Sequence, residues 1–165
     1  MTGPVEEVAA ALHRRGVEVR TDAALLSAYA SDASLYRVEP LAVARPRTGD
    51  EVADIVAACA DLGVPVTARG GGTSIAGNAV GAGVVVDYSR HLTRILAVDE
   101  EARTASVEPG VVHARLQQTV RPLGLRFGPD PSSHTRCTVG GMVGNNACGT
   151  RALGYGRTSD NLAAV

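Results

Sequence analysis

The chain has no lysine and no tryptophan, one phenylalanine, four tyrosines and three cysteines in 165 residues. Each shortage excludes something. Without lysine, no P-loop lysine can reach the terminal phosphates of a nucleotide. So few aromatic rings leave little platform for stacked bases, and a net charge of −1 gives no cationic excess, so nucleic acid is not expected as a partner. Cys59, Cys137 and Cys148 are odd in number and form no C-x-x-C, which excludes a zinc or iron–sulfur motif in this stretch and a disulfide scaffold. Cys59 sits on an apolar helical stripe and reads as core; Cys137 and Cys148 read as packing residues. His13, His91, His113 and His134 are scattered without ligand spacing, so each reads as surface or structural and no metal site is assigned. No apolar run reaches membrane-spanning length, and residues 1–20 hold no signal-peptide core, so the expected location is cytoplasmic, with no transmembrane segment.

What the chain does have is glycine, 19 of them. Three stand together in Arg69-Gly70-Gly71-Gly72-Thr73-Ser74-Ile75, directly after the apolar run Val64–Ala68, which reads as a buried strand. Consecutive glycines have no side chains to pack. They permit left-handed backbone and close approach of another group, and successive inward N–H groups make a nest for an anion, phosphate above all. Thr73 and Ser74 add hydroxyls and Arg69 adds a cation at the rim. Gly72-x-x-x-x-Gly77 has P-loop glycine spacing, but Asn78 and Ala79 stand where Lys and Ser/Thr are required. The dinucleotide fingerprint G-x-G-x-x-G fails at Ile75. The element that follows, Val84–Tyr88, is a β-branched run, so strand–nest–strand is expected rather than strand–loop–helix.

In chain order, Val5–Arg15 reads as an amphipathic helix stopped by Gly16, and Asp22 as the cap of a short helix ending at Tyr29. Leu41–Ala44 is a short strand. Thr48 and Glu51 form a capping box for a helix whose stripe is Val52, Ile55, Val56, Cys59 and Leu62, ending at Gly63. Strand, helix and the Pro65–Ala68 strand make a βαβ unit with parallel pairing. Leu92–Val98 and Arg103–Val107 read as a hairpin across Asp99–Ala102, Val111–Arg121 as a helix stopped by Pro122, and Leu125–Phe127 as a strand. A second unusual stretch follows: Pro129-Asp130-Pro131-Ser132-Ser133, then Cys137 to Thr150, rich in glycine and asparagine with few charges. One reading is structural, a tight-turn region with a buried helix at Val139–Asn146 whose glycines allow close packing; the other is a ligand surface. Such a surface suits a neutral heterocyclic or polyhydroxylated ligand held by amides and backbone groups.

An anion nest and a surface for a flat polar body are together what FAD requires. The segments 65–74, Asp87-Tyr88-Ser89-Arg90, Asp130-Pro131-Ser132-Ser133 and Cys137-Thr138-Val139-Gly140-Gly141 resemble, in order and spacing, the FAD-binding domain of the vanillyl-alcohol oxidase and p-cresol methylhydroxylase superfamily. Within it the chain is most similar to FAD-linked 2-hydroxyacid dehydrogenases. Residues 145–150 with Tyr155-Gly156-Arg157-Thr158-Ser159-Asp160 resemble the branch that carries an iron–sulfur domain downstream, so a cluster would belong only to chain beyond these residues. The resemblance implies an α+β fold: a two-part FAD-binding domain with a small parallel βαβ sheet packed on a mixed or antiparallel sheet, flanked by helices. Residues 1–40 would be an N-terminal helical segment and 41–165 the FAD domain, truncated at its C-terminus.

The resemblance also implies roles. Gly70, Gly71, Gly72, Thr73 and Ser74 would cradle the pyrophosphate, with Arg69 and Ile75 as flanking cofactor-binding residues. Pro131, Ser132, Ser133, Thr138, Gly140, Gly141, Asn145 and Gly149 would line the ribityl chain and flavin. Members with covalent flavin carry a His where Thr73 stands, so non-covalent FAD is expected. The implied activity is oxidation of a small 2-hydroxy acid such as lactate, glycolate or 2-hydroxyglutarate. The electron acceptor is left open, and no catalytic residue falls in this chain, because such enzymes place theirs further on. The alternative from a different class is a truncated, non-catalytic FAD-binding or interaction module. A nicotinamide-dependent cell-wall precursor reductase of the same fold fits the Asp130–Ser133 and Asn145-Asn146 motifs less well.

Overall fold

The computed structural model describes residues 4–165, and two compact units divide the chain between His91 and Leu92. Of the expected N-terminal segment 1–40, residues 1–3 lie outside the described residues.

The first unit runs α1 (Pro4–Arg14), β1 (Glu18–Arg20), α2 (Ala23–Tyr29), β2 (Ala42–Arg45), α3 (Gly49–Asp61), β3 (Val66–Arg69) and β4 (Val84–Asp87). Its sheet has the order β1-β2-β4-β3, with β4 parallel to both β2 and β3 and β1 antiparallel to β2. The expected parallel βαβ unit is present, but β4 lies between its two strands, and β1 makes the sheet mixed. The continuous apolar runs fall on the central strands: Ala42–Ala44 and Val84–Val86 are all buried. Burying each valine contributes roughly 1.5–3 kcal/mol relative to exposure. β3, expected to be buried, is the sheet's edge, and Val66 is 39% exposed.

The segment before Leu41 is built into this unit. Val8 and Leu12 of α1 and Val19 of β1 share one apolar core with Ile55, Ala58 and Cys59 of α3. On α3 the buried stripe is Ile55, Ala58 and Cys59, whereas Val56 and Leu62, expected to be inside, are exposed. The capping box is half made: Thr48 Oγ1 accepts from Glu51 N at 3.2 Å, but the Glu51 carboxylate accepts from Arg47 N at 2.7 Å, one residue upstream of the expected partner. Asp22 caps α2 as expected, accepting from Leu25 N.

The second unit contains the hairpin β5 (Ile95–Asp99) and β6 (Thr104–Val107), α4 (His113–Val120), a 3₁₀ turn at Arg121–Leu123, α5 (Val139–Gly144), α6 (Ala152–Tyr155) and a 3₁₀ turn at Thr158–Asn161. Val111, Leu116, Val120 and Val139 form its core, with Ile95, Val107, Leu125 and Phe127 packed on it. Leu125–Phe127 is not a strand. The Phe127 N–H donates to Gln117 Oε1 at 3.1 Å and its carbonyl accepts from Gln117 Nε2 at 2.7 Å, so a side chain takes the bonds a neighbouring strand would have made.

Candidate cofactor site

In the first unit the glycine segment leaves β3 and returns at β4, strand to loop to strand. Gly72 and Gly77 have positive φ, +63° and +77°. At Gly72 any side chain is strained, and a Cβ would also lie 2.7 Å from the Arg69 guanidinium. Arg69 is the loop's strut. Its Nη1 donates to the Ala79 and Tyr29 carbonyls at 3.0 and 3.3 Å, its Nη2 to the Ser31 carbonyl at 2.9 Å, and the guanidinium lies 5.0 Å from the Tyr29 ring centre. Ser74 Oγ accepts from the N–H groups of Ala76 and Asn78, closing the turn. Asp32 accepts from Ala79 N and Ser34 N, and Ala33 N donates to the Gly72 carbonyl. Burial works to raise the Asp32 carboxyl's pKa, but the Ser34 and Ala79 hydrogen bonds and the Arg69 charge outweigh it and hold it below the usual carboxylate value.

With the loop pinned from outside, its own donors stay free. Among the described residues, none of the N–H groups of Gly70, Gly71, Gly72, Thr73, Ser74 or Ile75 donates to another protein group. Ile75 is exposed, and Thr73 and Ser74 are half-buried. A run of partnerless amides held in a left-handed turn suits the oxygens of a diphosphate, so this loop fits that part of FAD.

The second unit assembles the other expected residues through main-chain bonds. Thr138 caps α5, accepting from Gly141 N at 3.2 Å, while Gly140 N donates to the Pro109 carbonyl at 2.8 Å. The N–H groups of Gly140 and Gly141 are therefore engaged internally, so these residues offer a side-chain-free surface rather than donors. The Pro131 carbonyl accepts from His134 N, and the Ser133 carbonyl accepts from Arg136 N and Cys137 N, which makes 131–137 a compact turn. Asn145 ends α5, and its amide Nδ2 donates to the Gly141 carbonyl. Gly149 lies so close to the Asp130 main chain that a Cβ there would collide with it, and Arg151 fixes Asp130 by a backbone N–H at 3.2 Å and an ion pair at 3.3 Å. Thr158 Oγ1 donates to the Ala147 carbonyl at 2.7 Å and anchors the 145–150 segment from the C-terminal side. Cys137 is buried, and burial pushes its thiol pKa up; Cys148 is exposed.

An apolar groove of about 740 Å³ opens in this unit between Leu96, Leu116, Phe127, Val139 and Val143. Of the expected cofactor residues only Gly140 lines it. Among the described residues no cluster of His, Cys, Asp or Glu could hold a metal ion, and no helix is long and apolar enough to cross a membrane.

Sequence reasoning names Asp87 only within the segment Asp87-Tyr88-Ser89-Arg90 and assigns no supporting role to Tyr29, Asp32 or Asp87. Asp87 gave a signal, a carboxylate closing the run Val84–Val86, and it is 4% exposed. Asp32, in an irregular segment, gave none.

A mixed sheet whose edge strand leads into a loop of free amides, together with a hairpin and a capped glycine helix, defines a flavin-nucleotide-binding fold. The FAD binding domain family matches residues 40–165, and the chain belongs to it. D-2-hydroxyglutarate dehydrogenase of Escherichia coli (strain K12) is 39% identical over 138 residues, 82% of this chain and 14% of that protein. Glycolate oxidase subunit GlcD of Bacillus subtilis (strain 168) is 40% identical over 139 residues, 83% of this chain and 30% of that one. In structure, alkyldihydroxyacetonephosphate synthase superposes with a TM-score of 0.77 at 23% identity over 86% of this chain and 29% of that one, a likeness of fold. The chain thus spans less than a third of these relatives.

Proposed function

We propose that the chain is the FAD-binding portion of an FAD-linked dehydrogenase of small 2-hydroxy acids. The observation that carries the cofactor assignment is the run of six amides, Gly70 to Ile75, without protein acceptors. The substrate class is supported by relatives named for 2-hydroxyglutarate and glycolate at 39% and 40% identity. Bound FAD supplies a two-electron acceptor for the hydride on the substrate's α-carbon.

The chain's own residues bind and orient. Gly70–Ile75 donate N–H groups to the pyrophosphate, and Arg69 acts by holding the loop that presents them. Pro131, Ser132, Ser133, Thr138, Gly140, Gly141, Asn145 and Gly149 form the surface assigned to the ribityl chain and flavin. Attachment is non-covalent, because Thr73 offers no imidazole and Cys137 is buried.

Titration of FAD with fluorescence detection tests the cofactor assignment, with Gly71→Val as the control. The wild type quenches flavin emission saturably and the variant does not. Equal quenching by both rejects the loop as the phosphate site. For the substrate, the full-length protein loaded with FAD and kept anaerobic is mixed with D-2-hydroxyglutarate, D-lactate or glycolate. Bleaching of the flavin band by at least one is expected, and bleaching by none rejects the substrate class.

A further inference from the structure

His113 is 2% exposed at the start of α4, and nothing in the roles above uses it. Its neighbours are unusually determinate. The Gln117 side chain is locked by the Phe127 main chain, Oε1 accepting from the N–H at 3.1 Å and Nε2 donating to the carbonyl at 2.7 Å. Only one orientation of the amide satisfies both bonds. The second hydrogen on Gln117 Nε2 is then left for His113 Nε2, 3.1 Å away, which must accept it. A ring that accepts at Nε2 carries its proton on Nδ1. Nδ1 is buried with no hydrogen-bond partner among the described residues, and the Pro129 main chain beside the ring favours its protonated form. Around the ring lie Phe127, tilted at 6.1 Å, and His134, edge-on at 6.1 Å.

We propose that His113 is a positioning residue: neutral and protonated on Nδ1, it fixes the Gln117 amide that clamps Phe127, and so sets the chain entering Asp130–Ser133. The last link, that this turn serves the flavin, rests on the function proposed above.

The device is sensitive to a single proton. A second proton on His113 would turn Nε2 into a donor facing the donor Gln117 Nε2. Rotating the amide to present Oε1 would restore that bond but set Nε2 against the Phe127 N–H and Oε1 against its carbonyl, so both clamp bonds are lost. The charged and titratable groups facing the ring are His134 and Arg126, which oppose its protonation, and Asp130, which favours it. Burial, the largest influence, lowers the His113 pKa below 6.5. The neutral ring and its clamp are therefore intact above pH 6.5 and are lost as the pH falls through the depressed folded value.

The test pairs two readouts in wild type, His113→Phe and Gln117→Leu. The first, exchange of the Phe127 amide hydrogen, needs no FAD. In the wild type its protection falls about tenfold or more as the pH is lowered from 8 to 4, while His113→Phe keeps one value across that range and Gln117→Leu is unprotected throughout. The second is FAD affinity, which weakens about tenfold over the same range in the wild type and less than about twofold in His113→Phe. Wild-type protection that does not change with pH, or an equal change in His113→Phe, overturns the clamp. A pH-dependent clamp with no FAD binding at pH 8 leaves His113 positioning this turn and rejects the flavin assignment instead.

Discussion

The Tyr29 hydroxyl donates to the Asp87 carboxylate across 2.5 Å, joining the end of α2 to the end of the central strand β4. The other carboxylate oxygen accepts from the Ser89 N–H at 2.8 Å and the Ser89 hydroxyl at 2.6 Å, so Asp87 is fully engaged. The Tyr29 ring also lies beneath Arg69, and Arg69 holds the glycine loop. One buried pair thus connects the sheet to the proposed phosphate site. Burial and the Asp87 charge raise the Tyr29 pKa, so the hydroxyl remains the donor at neutral pH. Tyr29→Phe keeps the ring under Arg69 but leaves a buried carboxylate one partner short. Urea denaturation is expected to show a loss of about 1–3 kcal/mol.

Gly72 and Gly71 separate folding from binding. A side chain at Gly72 meets both a left-handed backbone and the Arg69 guanidinium, so Gly72→Val should lower thermal stability and abolish FAD binding together. Gly71→Val, outside the positive-φ set, should keep its melting temperature within a few degrees of wild type and lose FAD binding. Thermal melts run beside FAD titrations distinguish the two.

Glu18 carries an acid dependence. It accepts from His91 at 2.9 Å, Arg45 at 3.2 Å and Arg47 at 3.3 Å. The His91 hydrogen bond is the largest influence on its carboxyl; with Arg45 it outweighs burial and lowers the pKa below 4.5. A lowered carboxyl pKa stabilises the fold above pH 4.5, and that contribution disappears as the pH falls through the folded value. Glu18→Gln should be less stable than wild type at pH 7 and show a shallower fall in stability between pH 5 and pH 3, followed by circular dichroism.

Thr138 is 1% exposed and caps a helix of only six residues. Thr138→Ala should cost about 1 kcal/mol in chemical denaturation, the usual worth of a lost N-cap. If the α5 surface meets the flavin, FAD affinity should fall further than this loss alone explains, and Thr138→Ser should recover most of both.

The strand–loop–strand course of the glycine segment was legible because three glycines in a row have no packing use and the β-branched run after them rules out a helix. The parallel βαβ unit and the hairpin were legible from the same alternation and from the caps at Thr48 and Asp22, while the two-part α+β fold came from the family resemblance. What escaped had physical reasons. β1 is the three residues Glu18-Val19-Arg20, too short for a periodic signal, and it forms because β2 offers it an edge. Apolar content placed β3 inside, but interior position in the sheet belongs to β4, which arrives later in the chain. Leu125–Phe127 has strand-like residues whose hydrogen bonds go to a glutamine side chain. Arg69 was legible as a cation beside the nest; that its charge is spent on three carbonyls depends on α2 and on Ala79, which no local pattern links to it.

The most direct test of the phosphate site is the amide spectrum of the loop itself. In ¹⁵N-labelled protein, saturating FAD should shift the amide resonances of Gly70 to Ile75 and slow their exchange with solvent, because those N–H groups acquire acceptors they lack in the free protein. FAD that binds while these amides keep their free positions and exchange rates would contradict the account.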